Sequence, residues 1–328
     1  MIKDTLRALL DIYGPTGHES GVSGAIADMI RPYVDEMRID ALGNLIAVKK
    51  GAGKRIMLAA HMDHIGFVVL DADEFGYLRV TNMGGIKNRV SFGRHVVFEN
   101  GVHGVVHYEE TEFQPTDTTL DKAFIDIGAA TRDEALAKVG LGDVAVYAPD
   151  AFVMGDRMSA PAMDDRAGCA VLVEALGGLQ GCPNEVVAVF TTQEEVGLRG
   201  ARAAAYDVDP DIGIALDVTL CGQPKGVRIA VELGKGPAVK IMDRSLICDP
   251  KVVAAMEAAA NDAGVAYQRE VLTAGGTDSG AIQVTRGGVP CGVLSIPCRY
   301  VHSACETIDM RDMEGGVKLL TRYLMTAQ

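Results

Sequence analysis

Ile56-Met57-Leu58-Ala59-Ala60-His61-Met62-Asp63 is the stretch that decides the fold. Its apolar part, Ile56 to Ala60, does not alternate with polar residues and stops abruptly at a histidine. A short continuous apolar run suits a strand buried on both faces, as in a parallel sheet sandwiched by helices. The same grammar recurs further along. Val186-Val187-Ala188-Val189-Phe190-Thr191 runs into Glu194-Glu195, Ile212-Gly213-Ile214-Ala215-Leu216 runs into Asp217, and Val289 to Ile296 precedes Tyr300-Val301-His302. Helical spacing fills the gaps between these runs. It predicts helices over 2–13, with Leu6, Leu9 and Leu10 inward, and over 19–37, with Ile26, Met29, Ile30 and Val34 inward. Gly14-Pro15-Thr16-Gly17 breaks the two apart. Further helices are predicted over 165–178, 250–263 and 314–325, and Ile39 to Val48 reads as a strand with a turn at Gly43-Asn44. Strands alternating with helices predict an α/β fold with a mostly parallel sheet covered on both faces.

One part of the chain breaks the rhythm. From about 68 to 155 the sequence is rich in Gly, Val and Asn, with short alternating segments such as Tyr77–Val80, Val96–Phe98 and Gly104–Tyr108 and one short helix at 132–138. This predicts a small β-rich unit (68–155) inserted into a discontinuous α/β domain made of 1–67 and 156–328. The acidic, Thr-rich stretch 109–121 reads as a mobile loop.

Composition excludes several functions. The 328 residues suffice for two domains. Apolar residues at 48% and charged residues at 23% are ordinary for a globular chain. The net charge of −13, from 31 basic against 44 acidic side chains, argues against nucleic acid or anionic lipid as a partner. No apolar run reaches the roughly 18 residues of a membrane helix. The start, Met1 to Arg7, turns charged too early for a secretory signal, so a soluble, cytoplasmic protein is expected. Seven cysteines without a CxxC pair read as reduced, mostly buried thiols rather than a disulfide or zinc framework. With no tryptophan and 5% aromatics there is little material for a base-stacking platform.

In open α/β sheets, sites form beyond the carboxyl ends of the strands. Candidate metal ligands fall there: His61, Glu194-Glu195, Asp217 and His302, joined by Asp164 in a loop entering a helix. Two imidazoles and three carboxylates, His61, His302, Asp164, Glu195 and Asp217, meet the demand of a two-cation hydrolase site. Asp63, two residues after His61, is placed to accept the second ring N–H of that imidazole and fix its tautomer. The side chains of Glu194 and Glu195 diverge, so one can hold a cation while the other faces water as general base. Asp165 reads as the N-cap of the helix that follows, and His64 should face away from His61. Gly275-Gly276-Thr277-Asp278-Ser279-Gly280 reads as a tight loop before a helix or a cradle for one end of a substrate, and it lacks the lysine of a phosphate loop. Lys235, Lys240, Arg244 and Arg299 read as solvated surface, with an acidic-side-chain pocket as the competing reading. His18, His95, His103 and His107 read as structural.

HMDHIGF at 61–67, SAPAMDDRAG at 159–168, TTQEEVGLRGA at 191–201, ALDV at 215–218, GGTDSGAI at 275–282 and SIPCRYVHSACETID at 295–309 together resemble the tetrahedral, or glutamyl, aminopeptidases, a family of di-metal peptidases. The resemblance covers essentially the whole chain. It implies that Asp164 bridges two metals, that His61 and Asp217 complete one ligand set and Glu195 and His302 the other, that Glu194 is the general base and acid, and that Asp63 orients His61. It implies two divalent cations per subunit, zinc or cobalt with manganese as an alternative, and peptide substrates with a free N-terminus. It implies also a cis bond between Asp164 and Asp165, and a β-barrel-like insert used for dimer contacts, with dimers assembling into a twelve-subunit tetrahedron. Ala304-Cys305 departs from the family's usual proline and aliphatic residue, which places a thiol close to His302. The competing readings are a related two-metal amidohydrolase, a deacylase or carboxypeptidase, and a binding protein with a vestigial site.

Overall fold

The computed structural model describes residues 2–109, 120–222 and 229–327. Arg55–His61 lies near the centre of an eleven-stranded sheet and is flanked by Glu185–Thr191 and Ile212–Leu220, both parallel to it. Cys291–Arg299 extends the parallel block beside Ile212–Leu220. Antiparallel strands complete both flanks: Leu45–Lys49 and Glu36–Ile39 on one side, Glu306–Asp309, Arg157–Ala160 and Phe152–Met154 on the other. The register sets His61 opposite Thr191 and Asp217 opposite Ser295, so the parallel strands deliver their carboxyl ends to one sheet edge. Ile56 to Ala60 are fully buried, which explains why that run carries no alternation.

Helix Met163–Gly178 packs against the central strands and against Ile2–Leu10 and Met310–Thr326. It is buried from Met163 through Val173, and its small residues Gly168, Cys169 and Ala170 allow that close approach. The expected second helix is shorter than its pattern: Ser20–Ile30 gives way to a single 3₁₀ turn, Arg31–Tyr33, at Pro32, which cannot continue the helical ladder. Strands Ala238–Met242 and Gln268–Val271 and helix Arg199–Val208 carry no signal in the hydrophobic pattern.

Six strands close a separate barrel in the order Gly66–Ala72, Leu78–Met83, Ala123–Asp126, His103–Tyr108, His95–Phe98 and Val144–Tyr147. Alternate residues such as Val106 and Tyr108 point inward to a second core that includes Phe67, Val96 and Ile125. Phe152–Met154, within the stretch 68–155, pairs with Arg157–Ala160 at the edge of the large sheet. Most of the acidic stretch 109–121 lies outside the described residues. Among the described residues, no helix is long and apolar enough to cross a membrane.

Candidate active site

The sheet edge and the barrel enclose a cavity of about 470 Å³, with His61, Asp164, Glu194, Glu195, Asp217 and His302 in its wall. Each arrives from a different piece of backbone. His61 ends its strand, Asp217 lies within Ile212–Leu220, and the two glutamates follow Thr191. His302 follows Cys291–Arg299 in a left-handed conformation, φ 64°, which a non-glycine residue keeps only when its surroundings enforce it. Asp164 and Asp165 sit at the head of Met163–Gly178, joined by a cis peptide bond.

The Asp164 carboxylate spans the group. One oxygen lies 3.0 Å from His61 Nε2 and the other 3.3 Å from His302 Nε2. Glu195 Oε2 is 3.3 Å from the same His302 nitrogen. Around His61 Nε2, Glu194 Oε2 lies at 3.9 Å and Asp217 Oδ1 at 4.0 Å. The six residues that the sequence pointed to, apart from Asp63, therefore converge on one volume.

So many buried acids cannot all ionise without compensation. Burial raises the Glu194 and Asp217 carboxyls well above the ordinary range, with the Asp217 charge adding to the rise at Glu194 and the Asp164 charge to that at Asp217. Asp164 goes the other way: despite burial, hydrogen bonds from His302 and His61 hold it low. The half-buried imidazole of His302 is pushed up to about 12 by Asp164 and Glu195. Two buried carboxylate oxygens, Glu195 Oε1 and Asp165 Oδ2, have no hydrogen-bond partner among the described residues. The ligand atoms of His61, Asp165 and Asp217 lie within 4.8 Å of one another, and so do those of Asp164, Glu195 and His302. Nitrogen and oxygen donors in two adjacent groups, with orphaned anionic oxygens among them, fit two divalent cations.

Asp63 does more than the sequence suggested, and does it differently. His61 Nδ1 lies 3.0 Å from the Asp63 backbone carbonyl and 3.5 Å from its carboxylate, so the carbonyl is the nearer acceptor. The fully buried carboxylate instead accepts from the Thr16 hydroxyl at 2.7 Å, the Glu194 amide at 3.0 Å and the Glu195 amide at 3.3 Å. Asp165 caps its helix as expected, its Oδ1 accepting from Gly168 N at 3.0 Å, yet its other oxygen joins the ligand cluster. His64 faces away and meets the Ile65 carbonyl. In the Gly275 loop, Ala274, Gly275 and Gly276 line the cavity, and helix Asp278–Gln283 follows directly, as the reading of a tight loop before a helix expects.

Other supports went unread. Glu306 takes the Asp164 amide on one oxygen (3.0 Å) and the His302 amide on the other (2.6 Å), so a single carboxylate ties two candidate ligands together. The Gly85 carbonyl, from the barrel, lies 2.9 Å from His302 Nδ1. Arg166, buried without exposure, donates to the Met62, Ile12 and Gly14 carbonyls and so fixes the backbone beside His61. Of the four basic residues read as solvated, Lys235 and Arg244 are exposed and Arg299 is half-buried, but Lys240 is 2% exposed and lines the cavity. Its reading as surface is corrected: Asp243 and Glu270, at 3.1 and 3.2 Å, satisfy a charge that would otherwise need water. His18, His95, His103, His107 and Cys305 do not line this cavity.

The family model described as M42 glutamyl aminopeptidase matches residues 43–319. The lysyl aminopeptidase of Pyrococcus furiosus is 36% identical over 98% of this chain and 96% of its own. Among solved structures, an aminopeptidase from Desulfurococcus kamchatkensis superposes with a TM-score of 0.95 at 33% identity, covering 100% of this chain and 95% of the other. The TET1 peptidase of Pyrococcus horikoshii, which can assemble into a tetrahedron or a large octahedral shell, matches with a TM-score of 0.89 at 34% identity over the full length of both chains. The chain belongs to the M42 glutamyl aminopeptidase family and is a peptide hydrolase of the aminopeptidase type.

Proposed function

We propose that the chain is a metal-dependent aminopeptidase that binds two divalent cations, zinc or cobalt with manganese as an alternative, and removes N-terminal residues from peptides. The observation that carries this reading is the Asp164 carboxylate, in contact with His61 through one oxygen and His302 through the other. One cation would be held by His61 and Asp217, the other by Glu195 and His302, with Asp164 shared, and Asp165 stands as an additional donor near the first. When bound, the cations supply Lewis acidity toward water and the scissile carbonyl.

The chain's own groups move the proton. Glu194 shares the cavity wall with the cluster and its carboxylate makes no hydrogen bond among the described residues, as suits a group that takes a proton from the attacking water. It then delivers that proton to the departing amine nitrogen, which leaves as the new N-terminus. Burial raises its proton affinity, as suits a group that must hold a proton between the two steps. By analogy with the horikoshii peptidase, we also propose a homo-oligomer, with dimers built through the inserted barrel (68–155) and able to assemble twelve subunits. The discontinuous domain 1–67 and 156–328 carries the site. Neither nucleic acid nor a membrane is a partner in this proposal, and the site of action is the cytoplasm.

Glu194→Gln tests the proposal. It should keep both cations, measured by elemental analysis, while turnover of an aminoacyl anilide falls by about 10²–10⁴-fold. Undiminished turnover would remove Glu194 from the role.

A further inference from the structure

The cavity extends beyond the cluster into a chamber walled by Leu198, Leu220, Leu272, Ala274, Val301 and Thr219. A residue whose carbonyl lies against the cluster would project its side chain there. Among the described residues, two charged side chains outside the cluster line the cavity, Lys87 and Lys240. Lys87 is exposed at the mouth and donates to the Val301 carbonyl at 2.9 Å, so water and salt screen its charge.

Lys240 is the buried one, and its charge is already over-compensated. Its ammonium lies 3.1 Å from Asp243 and 3.2 Å from Glu270, and all three side chains are at most 2% exposed. Asp243 is fixed by Ser245 and the Leu246 amide, and Glu270 by the Thr219 hydroxyl at 2.7 Å, so neither partner can swing away to free the lysine. One ammonium against two carboxylates leaves a net charge of −1. A substrate carboxylate entering the chamber would lose its water and gain no unpaired counter-charge, because the ammonium that faces it is already held by two carboxylates. A substrate ammonium fares no better: Lys240 lines the cavity whereas Glu270 does not, so the like charge is the one it meets.

We propose that this chamber selects a neutral aliphatic N-terminal side chain, such as Leu or Met, and that Glu270 sets the selectivity by holding the Lys240 charge in check. The inference rests on the aminopeptidase reading above and adds its substrate class. The test is a panel of Leu, Met, Ala, Glu and Lys anilides on the metal-loaded wild-type enzyme, repeated with Glu270→Gln. Leu and Met should exceed Glu and Lys by at least about tenfold in kcat/KM. Glu270→Gln removes one of the two counter-charges, so the Glu-to-Leu ratio should rise at least about fivefold. A ratio is read within one preparation, so partial loss of folded variant does not mask it, and the wild-type panel needs no variant. Turnover with a preference for Glu or Lys would overturn this inference alone, as would an unchanged ratio in Glu270→Gln. Absence of turnover on every anilide would overturn it together with the aminopeptidase reading.

Discussion

Asp63→Asn changes one oxygen to an amide nitrogen and leaves the shape alone, so its effect follows from donor counting. The native carboxylate accepts from Thr16 and the Glu195 amide on Oδ2 and from the Glu194 amide on Oδ1. Asparagine has one accepting oxygen and an NH₂ that only donates. With the NH₂ on the Oδ1 side it opposes the Glu194 N–H. With the NH₂ on the Oδ2 side the Thr16 hydroxyl can reverse and accept, but the Glu195 N–H cannot. The second arrangement costs less, and it still strands one buried N–H and loses one hydrogen bond to a charged acceptor. That is worth about 1.5–3 kcal/mol. The stranded amide belongs to a candidate cation ligand and neighbours the candidate base. A shift of about 1 Å there costs about 10²-fold in rate. We therefore expect kcat to fall by about 10²-fold and the urea midpoint of the metal-free protein to fall by the equivalent of about 2 kcal/mol. Thr16→Val is the control: it deletes the hydroxyl bond alone and should cost about 1 kcal/mol with little loss of kcat. Asp63→Asn with wild-type kcat would refute the claim that this carboxylate positions the two glutamates. A Thr16→Val as slow as Asp63→Asn would place the effect in the Thr16 loop instead.

Two other outcomes follow from single contacts. A Cβ added at Gly85 would lie 2.6 Å from His302 Nδ1, inside any allowed contact, so Gly85→Ala should displace that ring, weaken one of the two cations by about 10–100-fold in a titration followed by elemental analysis, and leave thermal unfolding of the metal-free protein nearly unchanged. Retention of both cations at wild-type affinity would show that the barrel loop does not hold His302. His64, buried and next to Arg166, is pushed down to about 3. As pH falls through its unfolded value of 6.5 the unfolded chain takes up a proton that the folded chain refuses, so stability falls, by about 1.6 kcal/mol between pH 6.5 and 5. His64→Asn keeps a donor for the Ile65 carbonyl but cannot titrate, and its stability between pH 6.5 and 5, measured by urea unfolding, should fall by that much less than the wild type's; parallel curves would contradict the assignment.

The uneven legibility of this molecule has a physical cause. The parallel strands were readable because burial on both faces leaves no polar residue inside Ile56–Ala60 or Val186–Phe190, so His61 and the Glu194-Glu195 pair stand out as the first ionisable side chains after each run. Asp164, Asp217 and His302 were readable for the same reason: holding a cation requires particular side chains, and few residue types supply them. The supports were not readable, because they act through groups that every residue carries or that are common everywhere. Gly85 contributes a backbone carbonyl, Glu306 grips two backbone amides 142 and 4 positions away, and Thr16 offers a hydroxyl to a carboxylate 47 positions on. Lys240 was misread because its solvation depends on Glu270, thirty positions later, although a lone lysine inside Ala238–Met242 was a local hint of burial. Asp165 shows the boundary between the two classes within one side chain. The oxygen that caps the helix was foreseen from helix chemistry, and the one that joins His61 and Asp217 was not, because only the folded sheet edge brings those residues to it. A candidate ligand set can thus be named from spacing before its geometry is known. The precision with which it is held resides in contacts that spacing does not encode, which is why Asp63→Asn and Gly85→Ala test the fold more severely than removal of any single ligand.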